Sequence, residues 1–419
     1  MLGAGALAIL LLLLALSLRV MLRPENVTRL LLERVGEALG LEIVATGIGE
    51  YRLRGTPQLV VRDVVAREPG AKTPVLRAAR VSISVPWSTL RSRGALLEVQ
   101  RVELDGAVLD LPALQTWQAK RPAGKTRIPT LTDGVAITDS RIDADGWHVE
   151  GIDIELPTLH PQRPVAARVA GRYVAEPTRA DFDLHVALAK PATTTGAAAL
   201  GSVTVSRSSA DGTGWRLPGK LRLSGPLQIA DGVLRITPAH AGISARYESG
   251  DTRLPFALGL HGPLLFRNAT LAVAPAGLAL RGQGLLPAFD ARGKVAFGKR
   301  LLLELDGHLP GWKDEWPALP PPVGQSTSPL PFRLKYLGKT DASDPAALHL
   351  RRDDTRFDAR FRLPDVLGWV NADGQGSPLP PLDGTLTTPR MEISGATLEG
   401  VEIELDDPSL DDAATERTP

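Results

Sequence analysis

The sequence predicts a mainly β protein, an antiparallel meander with one wetted and one hidden face, preceded by an apolar helix. Three observations carry this reading. Long stretches alternate apolar and polar residues with a period of two, and successive strand side chains point to opposite faces. Glycine (41 of 419 residues) and proline (35) are abundant, and Asp105-Gly106, Asp211-Gly212, Asp231-Gly232 and Ala291-Arg292-Gly293 supply turn signals between those stretches. Helical periodicity is confined to a few short segments.

Met1–Leu18 is uncharged and almost wholly apolar. As a helix it rises ~27 Å at about 1.5 Å per residue, and Val20, Met21 and Leu22 extend it if Arg19 reaches back to the headgroups. Residues 1–22 are therefore expected to form a membrane anchor, carried by Leu7, Ile9, Leu10, Leu11, Leu12, Leu13, Leu14 and Leu16. The competing expectation is a cleaved signal peptide, for which Ala15-Leu16-Ser17 offers small residues. Arg19 and Arg23 follow the segment and no Lys or Arg precedes it, so charge asymmetry alone would leave the body in the cytoplasm.

An amphipathic helix follows. Pro24 suits its first turn and Gly40 its stop. Between them Val27, Leu30, Leu31, Val35, Ala38 and Leu39 form a stripe at helical spacing. Residues 24–118 are read as this helix plus the first strands.

The body, 119–310, is read as strand throughout, and 332–405 as a C-terminal β segment. Val81, Ile83 and Val85 alternate with Ser82 and Ser84. Phe182, Leu184, Val186 and Leu188 alternate with Asp181, Asp183, His185 and Ala187. Leu301, Leu303 and Leu305 keep the same beat, as do Phe357, Phe361 and Leu363 against Arg356, Asp358, Arg360 and Arg362. Only Pro112–Lys120 and Pro364–Asn371 add helix. With so few helices, the apolar face must cover itself as a sandwich or barrel, or cover something else. Residues 311–331 are a Pro-rich loop, whose Trp312 and Trp316 are expected to cap a hydrophobic edge. The tail, 406–419, is acidic and expected to be disordered.

One phrase recurs: VEGIDIEL at 149–156 and LEGVEIEL at 398–405. Ile152 and Ile154 in the first copy match Val401 and Ile403 in the second, each alternating with acids. The acids look like a catalytic pair until the alternation assigns them to the outer face of a strand.

Composition narrows function by exclusion. Lys+Arg number 48 and Asp+Glu 47, a net charge of +1, which disfavours a nucleic-acid partner. There is no cysteine, so disulfide and thiol chemistry are excluded. The seven histidines are scattered without metal-ligand spacing, and no nucleophile elbow, P-loop or dinucleotide fingerprint occurs. The expectation is a protein that is not an enzyme, with no catalytic residue, cofactor or metal.

The order of elements resembles a known family. The apolar segment is followed by RPENVTRLLLERVGEALGLEIVATGIGEYRLRGTPQLVVRDVVA, then VLRAARVSISVPWSTL and LLEVQRVELDGAVLDLPAL, and the chain closes with PLPPLDGTLTTPRMEISGATLEGVEIEL. Together these look like AsmA-like proteins of the bacterial envelope, which are similar to repeating-β-groove, bridge-like lipid transfer proteins. The resemblance covers residues 1–118 and 377–405. It implies a long antiparallel sheet curled into an open apolar groove, a bacterial inner-membrane location with a single-pass anchor and the body in the periplasm, and a role in phospholipid transport and outer-membrane homeostasis. The expected groove lining is Ile152, Ile154, Phe182, Leu184, Val186, Leu188, Leu301, Leu303, Leu305, Phe357, Phe361, Leu363, Val401 and Ile403. The expected partners are the inner membrane, phospholipid and another envelope protein. The alternative is an envelope assembly or secretion factor that binds other proteins through its sheet.

Overall fold

The computed structural model describes residues 32–33, 36–37, 39–47, 50–52, 56–88, 98–120, 130–208, 214–230, 232–284, 286–312, 323–326, 328–371, 380–393, 396–408 and 410. Leu32, Glu33, Gly36, Glu37 and Leu39 are helical, and the helix stops where Gly40 predicts. Gly40 takes φ +58°. Its N–H donates to Glu37 O at 3.2 Å, and the Leu41 N–H donates to Gly36 O at 2.9 Å. Carbonyls that the last turn would leave unpaired are thus satisfied by the departing chain. Leu32 packs with Ile43, Ala45 and Leu59 around buried Val61, Val64, Ala78 and Ala107.

Among the described residues no helix is long and apolar enough to cross a membrane. This overturns the expected inner-membrane location with a single-pass anchor and a periplasmic body. The expected anchor itself, Leu7, Ile9, Leu10 to Leu14 and Leu16 included, lies outside the described residues, as do Trp316 and residues 411–419.

The chain divides into two compact units, Met1–Ala192 with Ala199–Arg216, and Thr193–Ala198 with Leu217–Pro419. The division falls inside the segment read as one body. The first unit contains β1 (Glu42–Ala45), β2 (Glu50–Arg52), β3 (Gln58–Arg67), β4 (Leu76–Ser84), β5 (Glu98–Val99), β6 (Arg101–Asp105) and β7 (Val108–Asp110). Helix α1 (Leu111–Ala119) follows, then β8 (Thr130–Leu131), β9 (Val135–Ala144), β10 (Trp147–Leu156), β11 (Val165–Ala175) and β12 (Thr178–Leu188). Strands β13 (Thr194–Ser208) and β14 (Gly214–Ala230) contribute residues to both units. The second unit continues with β15 (Val233–Ser249), β16 (Thr252–Arg267), β17 (Thr270–Gly282), β18 (Ala288–Phe297), β19 (Leu301–Leu309), β20 (Leu330–Gly338), β21 (Ala346–Arg352) and β22 (Thr355–Phe361). Helix α2 (Leu363–Asn371), β23 (Leu382–Ile393) and β24 (Ala396–Leu405) complete it.

Both short helices stand where their prolines place them. Asp110 caps α1, its Oδ1 accepting from the Ala113 N–H at 2.8 Å, and Pro112 occupies the first turn. In α2 the helix takes Leu363, which alternation alone would place on the strand. Pro364 sits in its first turn, so the alternation ends at Phe361 and Leu363 is 42% exposed.

Three further expectations are corrected. The meander is not wholly antiparallel: β9 runs parallel to β6 and β7, and β8 parallel to β5. A parallel pair needs a crossover, and α1 with the chain after it lies between β7 and β9. Ala291-Arg292-Gly293 is no turn but the middle of β18. Gly293 stands opposite Leu305, where a Cβ would run into the Glu304 carbonyl, so glycine serves close backbone approach there. The tail is ordered at its start: Leu410 is 2% exposed, and the Asp407 N–H donates to Asp383 Oδ1 at 2.6 Å.

The recurring phrase has a local cause. Gly151 and Gly400 take φ +57° and +64°, the left-handed region that glycine enters without a Cβ penalty. At Gly151 the register of β10 shifts by one residue against β11, between Glu150 and Asp153. The bulge keeps Val149 and Ile152 on one side despite their odd spacing.

Candidate functional site

Register joins the alternating strands into rows. In the first unit Val61, Val81, Leu104, Ile137, Ile154, Val169 and Leu184 stand opposite one another in sequence across β3, β4, β6, β9, β10, β11 and β12. A second row runs Ile43, Ala66, Leu76, Leu109, Ile142, Val149, Tyr173 and Ala180. No member of either row carries a charge.

The second unit repeats the pattern over more strands. Ala241, Leu260, Leu278, Ala291, Gly307, Phe332, Leu350, Phe357, Leu386 and Ile403 form one row from β15 to β24. On the same face of β18 and β19 lies a further row, Leu234, Phe266, Leu271, Phe297 and Leu301. Phe266 is 43%, Leu271 37% and Phe297 53% exposed. Large apolar side chains in an unbroken row, left open to this degree, are unusual on a strand face that has only water to meet.

The opposite face is charged and cross-paired. In the first unit Arg172 Nε donates to Asp181 at 2.6 Å and Arg168 Nη2 to Asp183 at 2.7 Å. The hydrogen bond from Arg168 holds the Asp183 carboxyl below the usual carboxylate range. In the second unit Lys294 meets Glu304 at 2.9 Å, Arg333 meets Asp306 at 2.6 Å, and His349 meets Asp358 directly across the strands. Such exposed pairs contribute little stability each, about 0–1 kcal/mol. Their value here is diagnostic: they mark which face of each unit's strands is charged and which is apolar.

Part of the apolar face is covered by the Pro-rich segment. Val323 and Leu330 are buried with Leu386 and Met391, and Trp312, Leu350, Phe357, Val401 and Ile403 pack against them. Arg352 is the fastening. Its residue is 5% exposed, and its guanidinium donates to Val323 O at 2.8 Å and Ser328 O at 3.0 Å. Trp312 thus caps a hydrophobic edge as expected.

The predicted lining residues fall as follows. Ile152 and Ile154, and Phe182, Leu184, Val186 and Leu188, share the apolar face of the first unit. Phe182, Leu184, Val186 and Leu188 stand opposite Gly171, Val169, Ala167 and Val165. Leu301, Leu303, Leu305, Phe357, Phe361, Val401 and Ile403 share that of the second unit. Ile152 (6%) and Leu305 (3%) are buried, the other strand residues half-buried. Leu363 belongs to α2 and to neither face.

Leu260, Leu278, Phe332, Leu350 and Leu386 were missed. The signal was available in β20, where Phe332, Leu334 and Tyr336 alternate with Arg333 and Lys335. It was obscured in β15, β16 and β17, whose registers slip between Ile236 and Ala239, His261 and Leu264, and Val273 and Ala276. Pro238, Pro263 and Pro275 lie in those slips, and proline has no N–H to give a ladder. Among family models, curated proteins and solved structures, none matches the chain.

Proposed function

We propose that the apolar face of each unit forms an open groove that holds the acyl chains of lipids, in the manner of the bridge-like lipid transfer proteins that the order of elements resembles. The observation that carries this reading is the ten-strand row from Ala241 to Ile403, together with the exposed aromatic row at Phe266 and Phe297. An acyl chain entering water loses on the order of 10 kcal/mol at about 0.8 kcal/mol per CH₂, and a continuous apolar surface offsets that loss at every point along it. Alternation held in register suffices for such a surface, and neither a catalyst nor a tight pocket is required. The charged outer face keeps the same sheet in water.

Native mass spectrometry of the purified chain tests the proposal. Phospholipid should co-purify, and Phe297→Asp and Leu303→Asp should each lower its occupancy by about tenfold, the effect of losing apolar contact at roughly 1.4 kcal/mol per decade. Phe297 is more than half exposed, so Phe297→Asp should leave the thermal midpoint within about 2 °C of wild type. Absence of lipid from the wild type, or unchanged lipid in both variants, would sink the reading.

A further inference from the structure

The sheet of the second unit has two rims, because each strand from β15 to β24 runs antiparallel to the next. The turns after β14, β16, β18 and β20, and the start of α2 after β22, lie at one rim. The turns after β15, β17, β21 and β23 lie at the other. The exposed large apolar side chains of this unit gather at the first rim: Ile229, Phe266, Leu271, Phe297, Leu337 and Leu363. Among the described residues only Leu398 stands exposed in this way at the other.

Phe266, Leu271 and Phe297 are direct cross-strand neighbours. Ile229 belongs with them by sequence. LSGPLQI at 223–229 recurs as LHGPLLF at 260–266, with Leu227 and Leu264 buried at equivalent places, so Ile229 stands in β14 where Phe266 stands in β16. Leu337 stands opposite Leu302, which alternates with Leu301 and Leu303 and shares the charged face with Glu304. An acyl chain along the apolar face would cover Phe266 and Phe297 but not Leu337. Apolar side chains from both faces thus converge on one edge, as an edge dipped into an apolar medium requires.

The charges of the two rims differ as well. Arg267, Lys299 and Arg300 lie in the turns between the exposed side chains and form no ion pair among the described residues. Arg300 Nη2 donates to Leu337 O at 2.9 Å, which holds its cation beside that leucine. The acids of this rim are engaged locally. Asp341 accepts from Ser343 Oγ at 2.6 Å, Asp344 accepts from the Lys339 N–H at 2.7 Å, and Asp365 sits in the first turn of α2. The tight turns of the opposite rim carry Asp251, Asp353 and Asp354, and Arg352 there is buried. Aromatic and aliphatic side chains interleaved with unpaired cations fit the interface of an anionic bilayer. The apolar groups enter the boundary between headgroups and acyl chains, and arginine and lysine reach the phosphates. The patch is a narrow line along an edge, not the broad surface that a stable protein–protein contact buries.

We propose that this rim docks on an anionic lipid bilayer, with Phe266, Phe297 and Leu337 in the interface and Arg267, Lys299 and Arg300 on the headgroups. The docking stands whether or not the apolar face carries acyl chains.

The full chain has no cysteine, so single-cysteine variants accept an environment-sensitive fluorophore at one place. With phosphatidylglycerol–phosphatidylcholine vesicles the label at Thr270→Cys should shift to the blue. The label at Thr252→Cys, exposed at the opposite rim, should not. Phosphatidylcholine alone should give little shift, and added salt should reverse most of it. A basic residue near an anionic surface contributes about fivefold to binding, so Arg267→Gln combined with Lys299→Gln should raise the lipid concentration at half-shift about 25-fold. Leu337→Asp should weaken the shift several-fold yet leave co-purified phospholipid at its wild-type level. Leu337 is more than half exposed, so this variant should keep the wild-type melting curve. A chain that purifies without phospholipid but shifts at Thr270→Cys would lose the groove and keep the docking rim. No shift with anionic vesicles, an equal shift at both rims, or a shift untouched by these variants overturns the proposal. So does a shift on concentrating the chain without lipid, which makes a second copy the occupant.

Discussion

Leu305→Asp should destabilise the second unit by about 4 kcal/mol or more, the range reached when an unpaired charge is forced into an apolar site. Leu305 is 3% exposed and stands between Gly293 and Leu334 on the apolar face. No cation on that face is within the same rows to pair with the new carboxylate. Its chain neighbour gives the control. Glu304 points to the charged face and meets Lys294 at 2.9 Å, with 45% of its side chain exposed. Glu304→Ala should cost less than about 1 kcal/mol. Equilibrium denaturation of the two variants reads the difference directly. Equal costs would mean that the two faces have been assigned wrongly, and the proposed groove would fall with them.

Arg352→Met should cost about 3 kcal/mol and free the segment around Val323 from the sheet. The methionine keeps the volume of the stem but leaves the carbonyls of Val323 and Ser328 without their donors. Each hydrogen bond to a charged group is worth roughly 1.5–3 kcal/mol, and the stranded acceptors add desolvation cost. Hydrogen exchange at residues 323–330 should rise well above wild type while β15 to β18 stay protected. A second tie sets the pH dependence. Hydrogen bonds from Ser326 and Ser328 lower the Asp353 carboxyl below its ordinary 3.8. A carboxyl lowered on folding gives stability that is complete above that value and is lost as pH falls through the lower, folded one. Acid should therefore open the segment further in Arg352→Met than in wild type. Unchanged exchange in the variant at neutral pH would show that apolar contacts to Leu386 and Met391 alone hold it.

Much of the fold was legible because its signals are local. Gly40 ends a helix because the chain there needs φ > 0, and Asp110 with Pro112 starts one because a cap and a first-turn proline act within four residues. Alternation alone placed Phe182, Leu184, Val186 and Leu188 on one face. Leu363 was misplaced because the period of two continues by one step into a helix that Pro364 begins. Ala291-Arg292-Gly293 was misread because a glycine required by close packing looks the same in sequence as one required by a turn.

The candidate sites were legible in part. Seven of the predicted lining residues share the apolar face of the second unit, yet Leu260 and Leu278 escaped because Pro238, Pro263 and Pro275 slip the register of three consecutive strands.

The sequence by itself determined which side chains share a face within an unbulged strand, where the first helix stops at Gly40, and which chemistries lack their residues. These depend on backbone geometry over a few residues. The tertiary structure alone decided which strands neighbour which, that β9 runs parallel to β6, and which residues meet across β15 to β19. Those outcomes depend on register between distant segments, where a single bulge moves a side chain to another row. Whether apolar strands become a continuous surface is therefore settled only when the sheet is assembled.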